Sequence, residues 1–171
     1  MNAEQATMFA NYFVPATEQE VATTKKVIQA VPDDRKDYKP DPRSMSAHEL
    51  AWHIATTDAW IISGVVKGKF EMEGPPPPAP ATIREILDWY DTNMAKSIAD
   101  VKIMSGEDLA RVVPFFGMEM PNVTYLSMMN SHSIHHRGQL SAYLRPMGAK
   151  VPSIYGGSAD EPFQMESGAG A

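Results

Sequence analysis

Residues 130–140 read Asn-Ser-His-Ser-Ile-His-His-Arg-Gly-Gln-Leu and hold three of the chain's five histidines: His132, His135 and His136. On an α-helix, positions four apart share a face. His132 and His136 then point the same way, about 40° apart around the axis. Two imidazoles on successive turns can grip one divalent ion. Met129, Leu140 and Tyr143 fall on the same face, which places the pair on a buried seam. His135 lies about 60° to the other side of His132 and ranks second as its partner.

A pair of imidazoles is an incomplete metal site. His48 and His53 supply the remaining rings. Being five residues apart, they diverge by about 140° on a helix, so both cannot face inward. His48 falls in a first helical turn and is expected to face water. His53 lies beside Leu50, Thr57 and Ile61, at the edge of an apolar stripe, and is the expected third ligand. Burying three imidazoles without partners would cost their hydration, and a shared ion removes that cost. Three nitrogen donors leave a coordination position for water or substrate. Zn²⁺ and Ni²⁺ both suit imidazole. Asp58 is also about 140° from His53 and makes a poor fourth ligand.

Composition narrows the chemistry further. The chain has no cysteine, which excludes disulfides, thiolate metal sites and a cysteine nucleophile. Any thiol chemistry must use a thiol brought by a substrate. Its 171 residues are 43% apolar and 21% charged, enough for one compact domain with a core. A formal charge of −6 with scattered Lys and Arg argues against a nucleic-acid partner. No apolar run approaches the roughly 18 residues of a membrane span. The start, Met-Asn-Ala-Glu-Gln-Ala-Thr, does not resemble a signal peptide, so a cytoplasmic protein is expected.

Four helices must position these side chains. The first is expected from about Glu4 to Ala30, with Phe9, Phe13, Val21 and Ile28 near one face and a kink or late start at Pro15. Residues 35–45 read as an extended connection. Ser46-Ala47-His48-Glu49 is a capping box flanked by Met45 and Leu50 as a hydrophobic staple, and it opens a second helix to about Val66. Leu50, Ile54, Ile61 and Val65 form its apolar stripe.

Residues 68–81 contain Pro75 to Pro78. At about 3.1 Å per residue, such a segment can run the length of a bundle as a crossover. A second capping box, Thr82-Ile83-Arg84-Glu85, starts a third helix to about Met104. Residues 105–121 read as irregular with a short strand at Val112-Val113. The fourth helix is expected from about Asn122 to Arg145. The pattern is an all-α four-helix bundle forming one domain over residues 1–171, with about ten loose residues at the C-terminus.

Leu50-Ala51-Trp52-His53-Ile54-Ala55 and His132-x-x-His135-His136-Arg137-Gly138-Gln139-Leu140 carry a family resemblance. So do Tyr143-Leu144-Arg145-Pro146-Met147-Gly148 and Val151-Pro152-Ser153-Ile154-Tyr155-Gly156. On these motifs the chain resembles the DinB/YfiT-like family over most of its length. The resemblance implies a four-helix bundle of unusual topology, a divalent-metal site at His53, His132 and His136, and a homodimer. It also implies a link to thiol transferases and a thiol-dependent isomerase, in which the metal activates a thiolate.

Three functions then compete. The first is a metal-dependent transferase acting on a small molecule with a low-molecular-weight thiol. The second is a hydrolase using metal-bound water, which needs a general base that no motif supplies. The third is a non-catalytic protein whose metal only joins two helices. Arg137 is read as a surface ion pair or an anion-binding group. Gly138 suggests close packing of a neighbouring helix. Tyr90, Tyr125 and Tyr143 are read as core residues with tethered hydroxyls. The methionines are read as core filler.

Overall fold

The computed structural model describes residues 1–72 and 74–162. Its elements are α1 (Ala3–Gln29), α2 (Ala47–Lys67), α3 (Ile83–Lys102), the short α4 (Gly106–Ala110), β1 (Val112–Phe115), β2 (Met118–Pro121) and α5 (Thr124–Leu144). The four long helices match the expected bundle. The expected loose C-terminus lies almost wholly outside the described residues.

Local chemistry starts the first three long helices. Ser46 and Glu49 exchange side-chain bonds with each other's amides, as do Thr82 and Glu85. A third box, Asn2 with Gln5, starts α1. No side chain caps the start of α5. Met45 stays 44% exposed and contributes little as a staple. Gly68 ends α2 in the left-handed region, at φ 64°, where it closes the last turn.

α1 runs unbroken through Pro15, correcting the expected late start. Pro15 and Asn11 lie on the exposed side of α1, where water can satisfy the carbonyl that the missing amide leaves free. The buried face of α1 also differs from expectation. It carries Ala6, Ala10, Val14, Thr17, Val21, Thr24 and Ile28. Phe9 is 40% exposed and stacks on Phe13. Small residues let α4 approach closely: a Cβ on Gly106 would stand 2.6 Å from the Ala3 carbonyl oxygen.

Three hydrogen bonds trace the proline-rich segment back along α2. The Trp60 indole donates to Glu71 O, the Trp52 indole donates to Pro77 O, and His48 Nε2 meets Pro80 O. The segment is therefore the crossover that its length predicts. It returns the chain to the start of α2, so α3 runs parallel to α2. His48 is correspondingly half-buried under the crossover and does not face open water.

α5 runs parallel to α1. Thr17 pairs with Asn130 and Thr24 with Ser133, both in the interior. α2 packs against α3 and α5, and α1 packs against α5 and α3. The region expected to be irregular contains α4 and the β1–β2 hairpin, in which Val112 pairs with Pro121 and Phe115 with Met118. No helix of the described residues is long and apolar enough to cross a membrane.

Candidate metal centre

His53 stands in the second turn of α2, and His132 and His136 stand on successive turns of α5. The antiparallel packing of α2 on α5 brings them together. His53 Nε2 lies 3.2 Å from His132 Nε2 and 3.2 Å from His136 Nε2. One donor atom from each ring falls within 4.8 Å of the other two. Nitrogen donors at about 2.0–2.1 Å from a tetrahedral ion lie about 3.3 Å apart, so the spacing fits such an ion.

The outer nitrogens show which way each ring presents its lone pair. His132 Nδ1 lies 3.2 Å from Asp58 Oδ1, and His136 Nδ1 lies 2.8 Å from Gln139 Oε1. Both oxygens are acceptors, so both Nδ1 atoms carry the proton. That leaves the two Nε2 atoms as lone pairs aimed at His53 Nε2. His53 Nδ1 has the Thr57 hydroxyl at 3.4 Å. A proton on His53 Nε2 could bridge to only one of its two neighbours well. A cation at the centre satisfies all three nitrogens at once.

The electrostatics favour the neutral form of His53 and His136, the form that binds metal. Burial pushes His53 down to about 4, helped by the neighbouring His136 and His132. Burial also lowers His136, partly opposed by its bond to Gln139.

Asp58 touches the trio through His132, a contact that ligand spacing does not point to. It is no ligand, since the arrangement that can hold an ion contains the three histidines and no carboxylate among the described residues. It is 0% exposed and accepts from both His132 and the Tyr90 hydroxyl, the latter at 2.9 Å. Burial and the adjacent Asp58 carboxylate raise the Tyr90 phenol well above its ordinary range, keeping it a donor. The signal lay in the stripe: Asp58 follows Ile54 by four and precedes Ile61 by three, a charged side chain at a core position.

The other candidates fall elsewhere. His135 is exposed and lies edge-on to His136, with ring centroids 4.8 Å apart. Arg137 is 1% exposed, correcting its reading as a surface group. It donates to Glu20 Oε2 at 2.7 Å, to Thr24 and to the Tyr155 hydroxyl, tying α5 to α1 and the C-terminal segment. Gly138 is exposed, and a Cβ there would meet nothing within 4 Å, so close helix packing does not explain it. Tyr125 donates to Val113 O, and Tyr143 lies edge-on to Tyr38. Met94 and Met129 fill the core, whereas Met8 and Met72 are exposed.

Residues 3–166 match the DinB family. The chain belongs to that family. Among relatives of this DinB protein is YrdA of Bacillus subtilis, an uncharacterized protein, 26% identical over 152 residues covering 88% of this chain and 90% of YrdA. YjoA, a second uncharacterized protein of the same organism, is 30% identical over 132 residues, covering 73% of this chain and 82% of YjoA. A DinB-like crystal structure from Bacillus cereus superposes with a TM-score of 0.73 at 30% identity, covering 84% of this chain and 95% of that one. The DinB assignment and the helical bundle agree with each other and with the motifs around His53 and His132.

Proposed function

We propose that this DinB protein is a metal-dependent transferase that uses a low-molecular-weight thiol, with Zn²⁺ or Ni²⁺ held by His53, His132 and His136. The observation that carries the reading is the convergence of three imidazole nitrogens beside a cavity of about 680 Å³ that His53 helps to line. A divalent ion bound there lowers the pKa of a thiol, making thiolate available near neutral pH. The absence of cysteine leaves the thiol to be supplied as a substrate.

The chain's own residues do the positioning. Asp58 and Gln139 hold the protons of His132 and His136 on Nδ1, and the cavity orients the second substrate. In the reaction, the thiol releases its proton to solvent, its sulfur forms a bond to an electrophilic carbon, and that carbon's leaving group departs with the bonding pair. A hydrolase reading has less support, because Asp58, the carboxylate touching the trio, is committed to His132 and Tyr90. The family resemblance further supports a homodimer, which sedimentation of the purified protein checks.

The test joins metal analysis to turnover. The wild-type protein should carry a single ion per chain, and His132→Ala should lose it while His135→Ala keeps it. Metal-loaded protein should accelerate transfer from cysteine, glutathione or a cysteinyl glycoside to a haloalkyl electrophile. Full metal content in His132→Ala removes the site. Metal binding without thiol transfer across that panel removes the reaction.

A further inference from the structure

We infer that the cavity beside His53 is a binding cleft for a planar aromatic substrate, and that Phe116, at the tip of the β1–β2 hairpin, is a specificity residue held in place for that ligand. The inference rests on the transferase reading, because it names the class of the second substrate.

A cavity of about 680 Å³ lies within the size range of small-molecule sites. It starts at His53 and is walled by Trp60, Trp89, Phe116 and the prolines of the crossover. The Trp60 indole is pinned by its bond to Glu71 O at 3.1 Å. Trp89 lies edge-on to Trp52, with centroids 4.8 Å apart, and the Trp52 indole is in turn bonded to Pro77 O. These rings are set before any ligand arrives, so little freedom is lost on binding. Flat aromatic ligands gain from such walls through offset and edge contacts that a puckered ring cannot make.

Phe116 is the observation that points to a ligand. The last hairpin pair is Phe115 with Met118, which leaves a two-residue tip of Phe116 and Gly117. Both have positive φ, 42° and 83°. Such turns favour Asn or Asp followed by Gly, because a bulky residue is strained in the left-handed region. Asparagine would relieve that strain, and burial does not offset it for Phe, since Phe116 is 76% exposed. Its ring nevertheless lies beside Trp60, with centroids 6.4 Å apart, on the lining of the cleft. A strained, exposed aromatic residue on a cavity wall is explained by what it touches when the cavity is filled.

The test uses calorimetric titration of the full chain with 2-naphthoate and its saturated counterpart, decahydro-2-naphthoate, with and without zinc. The naphthoate should bind more tightly by about threefold to tenfold, the share of an aromatic contact. Phe116→Asn should weaken naphthoate binding by a similar factor while its melting temperature holds or rises. Tyr12→Ala, on the exposed side of α1, should change neither. Equal affinity for the two acids would overturn the ligand class. Undiminished naphthoate binding by Phe116→Asn, or a lower melting temperature in that variant, would overturn the role of Phe116. Naphthoate binding in the zinc-free protein is read without thiol transfer, so failure of the cleft and failure of the transferase reading are distinguishable.

Discussion

Replacing Asp58 by asparagine tests how the histidine trio is prepared for metal. The substitution keeps shape and volume but exchanges one acceptor oxygen for an amide donor. Asp58 accepts from two buried donors, His132 Nδ1 and the Tyr90 hydroxyl. The carboxamide of Asp58→Asn can accept from only one of them without rearrangement. If its oxygen stays with Tyr90, the amide donor faces His132 Nδ1. The imidazole proton must then move to Nε2, removing the lone pair that a metal needs. If its oxygen faces His132, the Tyr90 hydroxyl rotates to accept from the amide, and only the negative charge is lost. Orienting partners of this kind are worth a factor of about 10 to 100 in metal affinity. The second arrangement sets the lower end, about 1.4 kcal/mol, and the first sets the upper end, about 2.7 kcal/mol. Competition against a chromophoric zinc chelator at about pH 7.5 measures the difference directly. Urea unfolding of the metal-stripped proteins measures the separate fold cost, which should be about 1 kcal/mol for one weakened buried hydrogen bond. Zinc affinity in Asp58→Asn within about twofold of wild type would refute the claim that Asp58 sets the tautomer of His132.

Metal-stripped protein should lose stability as pH falls. The folded His53 pKa of about 4 lies below its ordinary value of 6.5, so the unfolded chain binds more protons in that window. The stabilisation is present above pH 6.5 and is lost progressively towards pH 4. It would be about 3 kcal/mol for a fully buried ring, and about 1 kcal/mol once solvent screening at this half-buried ring is allowed for. Urea unfolding of wild type and His53→Gln should show a stability difference that shrinks across this window, and a constant difference would contradict it. Arg137→Ala should cost about 3 kcal/mol or more, because it leaves the Glu20 carboxylate facing an empty buried site. Thermal unfolding checks this, and a loss typical of a surface ion pair would contradict it. Gly138→Ala should stabilise the protein by about 1 kcal/mol with unchanged zinc affinity, since α5 gains a better helix former and the new methyl meets nothing.

The features legible in the sequence are those fixed by short-range geometry. A capping box is a bond between residues three apart, so Ser46 with Glu49 and Thr82 with Glu85 announce two helix starts. The same bond between Asn2 and Gln5 starts α1, one residue before the expected start at about Glu4. Helical periodicity separated His53 from His48 and His136 from His135, because angle follows directly from spacing. The length of the proline-rich segment announced the crossover.

The tertiary structure decided which helical faces meet. Phe9 looked like core, but packing chose the neighbouring face of Ala6 and Ala10 because their small side chains allow close approach. Arg137 looked like surface, but parallel packing of α5 on α1 encloses it with Glu20, more than a hundred residues away. Asp58 was visible as a charge in an apolar stripe, but its bond to His132 exists only once α2 and α5 are side by side. Spacing along one helix determined which imidazoles can share an ion. Contact between α2 and α5 determined the proton on His132, because its acceptor Asp58 lies on the other helix, whereas Gln139, the acceptor for His136, lies three residues along α5 and was set by spacing.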